Sequence, residues 1–104
     1  MDIKDIQNSN IDLLLQKDKL IILEFYTSWC PTCKMVAITL EEFEEENPDV
    51  FILQVNADEN KELASVYKVR TAPTLLFIKK GEILETYNGF IDIDELTELV
   101  NGLN

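Results

Sequence analysis

The chain contains no histidine, so the commonest general base and the commonest metal ligand are both missing. Any catalysis must draw on cysteine, carboxylate, lysine, tyrosine or the backbone. Glycine and proline number three each, too few for a flexible or collagen-like stretch. No apolar run approaches the roughly 20 residues of a membrane helix. The amino terminus, Met1-Asp2-Ile3-Lys4-Asp5, has neither the basic start nor the apolar core of a secretory signal, and a cytoplasmic protein is expected. Positive charge is scarce: nine Lys plus Arg against twenty Asp plus Glu leave a net charge of -11. Such a surface repels phosphate backbones, so neither nucleic acid nor an anionic membrane is expected as a partner.

What remains is the composition of a folded protein. Hydrophobic residues make up 46% of 104, enough for one core and too short a chain for two, so residues 1–104 are expected to form a single domain. Nothing in the pattern calls for an obligate oligomer, and a monomer is expected.

The patterning alternates strands and helices without repeats or linkers. Ile3 to Ile6 reads as a short strand, and Ser9 or Asn10 can cap a helix carrying Ile11, Leu14 and Leu15 and ending near Asp18. Leu20 to Tyr26 is almost continuously apolar, the mark of a strand covered on both faces. A helix follows Cys30, with Cys33, Val36, Ala37, Leu40 and Phe43 at helical spacing, and runs into acidic Glu41 to Glu46 before Asn47-Pro48. Val50 to Val55 is a second buried strand, and Asp58 or Asn60 caps a short helix with Leu63, Val66 and Tyr67 facing inward. Thr74 to Ile78 and Ile83 to Tyr87 form a hairpin around Lys79-Lys80-Gly81-Glu82. Asp92 caps a last helix lined by Leu96, Leu99, Val100 and Leu103. The order βαβαβαββα predicts an α/β protein with a mixed sheet between helices.

The chemistry concentrates in Ser28-Trp29-Cys30-Pro31-Thr32-Cys33-Lys34, between the core strand and the next helix, where open α/β sheets place their sites. With Cys30 as helix cap, Pro31 falls at the first helical position, where its missing N–H costs nothing. The free N–H groups of Thr32 and Cys33, the helix dipole and nearby Lys34 all favour an anion at Cys30, so its thiol should titrate below the free value and be the nucleophile. Cys33 lies on the apolar face, shielded, and is suited to attack a sulfur already bonded to Cys30. Two other uses of the pair stay open. A bridge closing so tiny a loop would stabilise little, and zinc would need carboxylates or a second protomer to complete four ligands. Glu24 interrupts the core strand with the same parity as Leu20 and Ile22. Burial should raise its pKa and let it take a proton from Cys33.

These residues resemble the thioredoxin family. Trp29-Cys30-Pro31-Thr32-Cys33-Lys34 looks like its W-C-x-x-C-K motif and Thr71-Ala72-Pro73-Thr74 like its cis-proline loop, and the likeness runs from about Leu20 to Leu103. The resemblance implies the thioredoxin fold, with a central mixed sheet of five strands, or four if the first is absent, flanked by four helices. It also implies a cis Pro73 facing the cysteines, a backbone at Ala72 that pairs with an extended substrate segment, Gly81 and Gly89 in turns, and Glu24 as the buried acid. Trp29, Ala72, Pro73 and Gly89 would form the substrate-docking patch, with Tyr26 near its edge. The function implied is reduction of protein disulfides by dithiol-disulfide exchange. No cofactor would be bound beyond the redox-active Cys30–Cys33 disulfide, and electrons would come from an external donor such as thioredoxin reductase. The departures are Pro31-Thr32 in place of Gly-Pro between the cysteines, Gln54 where a lysine is common, Ile38 for a helix-kinking proline and Ala72 for isoleucine. A Thr32 hydroxyl donating to the Cys30 thiolate would favour the reduced form and make an oxidant or isomerase. A redox-silent binding module using the Trp29–Pro73 patch is the reading from another class. Glutathione use is disfavoured by the few cationic groups near the cysteines in sequence.

Overall fold

A computed structural model describes residues 15–103. The predicted core strand is β1, Ile21–Tyr26, and it takes partners on both edges. Parallel β2, Phe51–Asn56, lies on one side and antiparallel β3, Thr74–Lys79, on the other. An antiparallel edge strand, β4, Glu82–Asn88, completes a four-stranded sheet in the order β2-β1-β3-β4. The parallel β1–β2 pair requires a crossover, and α1, Pro31–Glu46, supplies it. The short α2, Lys61–Val66, leads back from β2 towards β3, and α3, Ile93–Leu103, follows the hairpin.

Side chains alternate across β1, and each parity meets its own layer. Ile21, Leu23 and Phe25 join Leu53, Val55, Leu76 and Ile78 on the face covered by Leu63 and Ala64 of α2. Leu20 and Ile22 join Ile52, Leu75 and Phe77 on the face covered by Val36, Leu40 and Phe43 of α1 and Leu96 and Val100 of α3. Burying one such aliphatic or aromatic side chain is worth roughly 1.5–3 kcal/mol over leaving it exposed. The mixed sheet of the expectation is therefore present with four strands and three helices among the described residues. The predicted strand Ile3–Ile6 and most of the helix after Ser9 lie outside the described residues. Of that helix, Leu15 is helical and the chain turns over 16–19, ahead of Leu20.

Local signals explain the boundaries. Asp92 caps α3, its Oδ1 accepting from the Glu95 N–H at 2.8 Å, while the Glu95 carboxylate accepts from the Tyr87 hydroxyl at 3.0 Å. Between β3 and β4, Lys80 (φ 54) and Gly81 (φ 79) are both left-handed, the combination a two-residue type I′ hairpin turn requires. Their N–H groups donate to Lys17 O at 3.0 Å and Leu15 O at 2.7 Å, which ties the turn to the preceding segment.

Val66 departs from the expectation, for it is 67% exposed. At about 100° per residue, Leu63, Ala64 and Tyr67 share one arc of α2, and Val66 falls outside it. Apolar character alone places it inside. By urea denaturation, Leu63→Ala should cost about 2–5 kcal/mol, whereas Val66→Ala should stay within about 0.5 kcal/mol of the wild type.

Candidate active site

β1 ends at Tyr26, and four residues later the chain enters α1 through Cys30, the helix cap, with φ -101° and ψ 106°. Pro31 holds the first helical position, as the motif predicts. The Cys33 N–H donates to Cys30 Sγ at 3.1 Å, so the sulfur occupies the place of a capping oxygen, at the positive end of the helix. Cys30 and Cys33 are joined in a disulfide, with their Cα atoms 5.2 Å apart. The two sulfurs are not equivalent: Cys30 is half-buried at the rim, whereas Cys33 is 4% exposed on the inner face of α1.

The Ala72–Pro73 peptide is cis, as the resemblance implies, and Cys30 Sγ lies 3.8 Å from the Ala72 carbonyl oxygen. Pro73 is buried and Ala72 half-buried. The loop is braced from behind. The Thr74 hydroxyl is 2.7 Å from Thr71 O and 2.9 Å from Asn88 Oδ1, and the Gly89 N–H donates to Pro73 O at 3.0 Å. Gly89 adopts φ +94°, a conformation open to glycine and costly for most other residues. Trp29 is 77% exposed beside the disulfide. The structure thus brings Cys30, Ala72, Pro73 and Gly89 together through direct contacts, with Trp29 adjoining Cys30 along the chain. The Thr32 hydroxyl makes no hydrogen bond to Cys30 among the described residues.

Glu24 is fully buried, as its parity predicts. It stands opposite Gln54 in the β1–β2 register, and because parallel partners in register share a face, Gln54 Nε2 donates to Glu24 Oε1 at 2.8 Å. Its other oxygen, Oε2, has no hydrogen-bond partner among the described residues. Burial pushes the Glu24 carboxyl up from 4.5 to about 7, against the lowering effect of the Gln54 hydrogen bond. Glu24, Gln54, Cys33 and Lys34 border one cavity of about 240 Å³, which also reaches Tyr26, Thr27 and Ser28. The acid and the inner cysteine therefore face one shared space.

Sequence reading missed Asn56. It is 4% exposed at the end of β2; its Nδ2 donates to Ser28 Oγ at 3.0 Å, and its Oδ1 accepts from the N–H groups of Asp58 and Glu59 at 2.9 and 3.3 Å. It ties the loop before the cysteines to the turn after β2. Phe90, 44% exposed next to Gly89, adds apolar surface on that side. Among the described residues no group of three or more Cys, Asp or Glu side chains is placed to hold a metal, and no helix is long and apolar enough to cross a membrane.

A thiol–disulfide pair at a helix N-terminus, facing a cis-proline loop on a four-stranded mixed sheet, defines a thiol–disulfide oxidoreductase. The family model for thioredoxin matches residues 2–102, and the chain belongs to the thioredoxin family. It is 44% identical over 82 residues to thioredoxin from Bacillus subtilis, covering 78% of this chain and 79% of that one. It is 42% identical over 89 residues to Thioredoxin-T of Drosophila melanogaster, covering 85% of this chain and 56% of the fly protein. Among solved structures, a mutant thioredoxin from Halobacterium salinarum NRC-1 superposes with a TM-score of 0.88 at 30% identity, over 96% of this chain and 88% of that one.

The position of Glu24 sets a pH dependence. Its folded pKa of about 7 exceeds the unfolded value near 4.5, so the folded state binds more protons between those values and stability falls as pH rises through that window. The full penalty of about 3 kcal/mol is reached above pH 7. Glu24→Gln should therefore stabilise the protein relative to wild type at pH 8, with the gain shrinking to nothing by pH 4. Urea denaturation of both proteins at the two pH values measures it.

Proposed function

We propose that this chain reduces disulfides in other proteins, with Cys30 as nucleophile and Cys33 as resolving thiol. The observation that carries this is the asymmetry of the pair: Cys30 accepts from a helix N–H at the rim, and Cys33 is buried against the cavity of Glu24. In the reduced protein the Cys30 thiolate attacks one sulfur of a substrate disulfide. The substrate S–S bond breaks, a Cys30–substrate disulfide forms, and the other substrate sulfur leaves as a thiolate. Cys33 then passes its proton to the Glu24 carboxylate and attacks Cys30 Sγ. The remaining substrate sulfur departs with its electron pair, and the Cys30–Cys33 disulfide holds the two-electron oxidation. An external donor, of the kind thioredoxin reductase supplies, returns the pair to dithiol, and no bound cofactor takes part.

Trp29, Ala72 and Gly89 supply the docking surface in this reading, with the buried Pro73 shaping the loop beneath it and Pro31, Thr32 and Lys34 completing the active-site loop. The Ala72 carbonyl beside Cys30 is placed to pair with an extended substrate backbone. The working form is a single-domain monomer in the cytoplasm, where such a dithiol is kept reduced.

Cys30→Ser should abolish turnover of a protein disulfide, and Cys33→Ser should accumulate a mixed disulfide with substrate, visible by mass spectrometry. Normal turnover by both variants would overturn the mechanism. Glu24→Gln should slow resolution by roughly 10²-fold at pH 7, with the deficit narrowing as pH rises and Cys33 ionises unaided; rapid-quench trapping of the mixed disulfide reads the rate. Equilibration in thiol–disulfide buffers should place the Cys30–Cys33 couple near the roughly -270 mV of a reductant, and a value above about -200 mV would mark an oxidant or isomerase instead.

A further inference from the structure

A cavity of about 430 Å³ is bordered by Thr27 and by Thr71 and Ala72 of the cis-proline loop. Three cations line it, Lys61, Lys68 and Arg70, with Asp58 as the carboxylate among its walls. In a chain with nine Lys plus Arg and a net charge of -11, a third of the positive charge borders this one hollow. Other cations are engaged elsewhere: Lys17 and Lys19 stand 4.9 and 5.4 Å over the Phe51 ring, and Lys80 Nζ is 3.7 Å from Asp18. Lys61, Lys68 and Arg70 are all exposed. Lys68 is held at φ 58° where the chain reverses after α2, its N–H donating to Ser65 O and that of Val69 to Ala64 O. That reversal brings Arg70 back to the cavity that Lys61 lines.

We propose that this cavity is a carboxylate subsite, which selects disulfide substrates bearing an acidic group two or three residues from the reacting cysteine. The inference rests on the disulfide-reductase reading and gives it a substrate class. Ala72 joins the two sites: its carbonyl is 3.8 Å from Cys30 Sγ, and it also walls the cavity. A substrate strand laid along Ala72 advances about 3.3–3.6 Å per residue, so a side chain two or three residues away reaches the cations. The global negative charge repels strongly acidic proteins at long range, while within a Debye length the local cations attract a single carboxylate. Few cations flank the cysteines in sequence, but the fold gathers three around a cavity that shares Ala72 with the site. The carboxylate has two possible sources, an Asp or Glu of a polypeptide or the carboxylates of glutathione disulfide.

The test uses the reduced protein of residues 1–104 in single turnover, followed by Trp29 fluorescence. Its substrates are cyclic disulfide peptides that differ only by Glu or Gln three residues from the cysteine, together with glutathione disulfide. The Glu peptide should react about five- to tenfold faster than the Gln peptide at low salt, the scale of two or three exposed charge pairs. The preference should shrink in 0.5 M salt, and in the Lys61→Gln/Arg70→Gln double variant the ratio should fall to about one. Lys68→Asn, which keeps a residue tolerant of the left-handed backbone, should lower the ratio by itself. If glutathione disulfide matches the Glu peptide and loses the same factor in the double variant, the small molecule is a source; if only the peptide responds, the source is a polypeptide. Equal rates for the two peptides on wild type, or a ratio that survives the double variant, would overturn the subsite and leave the reductase reading intact. No reaction with either peptide would overturn both.

Discussion

β1 is hydrogen-bonded along both edges and covered on both faces, so its apolar side chains from Ile21 to Phe25 are committed to one of two cores. That commitment places the chemistry. Its final residue, Tyr26, hands the chain to the loop that delivers Cys30, and its even parity sends Glu24 beneath α1 into the layer of Leu20 and Ile22. Had the strand lain at an edge, the carboxylate would have found water and kept an ordinary pKa. Because the strand is central, ionising Glu24 is costly, and the acid is poised between its two forms near neutrality. The register with β2 then decides what that acid touches. Gln54 is a neutral donor, so it holds one oxygen in place without supplying the charge that would restore an acidic pKa.

The helix that covers Glu24 also differentiates the two sulfurs. One turn of α1 separates a residue at the cap from a residue on the buried face, which is what a spacing of three achieves when the first cysteine is non-helical. The outer sulfur is solvated and sits against a helix N–H; the inner one is dry and near an acid. The cis-proline loop approaches from the opposite side, held by Thr74, Asn88 and Gly89. Asn56 stays the preceding loop through Ser28. The pair is thus positioned by residues of all four strands, one helix and two loops, and no single segment carries the site.

Much of this was legible in the residues. Pro31 after Cys30 announced the helix start, the parity of Glu24 with Leu20 and Ile22 announced its burial, and Asp92 before Ile93 announced the last helix. These signals are local, written within one turn or one strand. Val66 misled because apolar character was read without the angular arc of a six-residue helix. Asn56 and the cationic wall were invisible for a different reason: the partners of Asn56 include Ser28, 28 residues away, and the wall depends on where α2 reverses at Lys68. Pairings of that kind come from tertiary packing, which a pattern of residue types does not encode.

Trp29 stands uncovered and Met35 and Ile38 are also exposed along α1, so the molecule carries adhesive apolar surface into a crowded solution. The carboxylates Glu41, Glu42, Glu45 and Glu46 lie exposed further along the same helix, and every copy bears the same surplus of eleven negative charges. Two copies approaching face to face therefore meet mutual repulsion before their indole rings can touch. The excess acid then serves as colloidal insurance, keeping molecules with exposed apolar side chains from sticking to themselves.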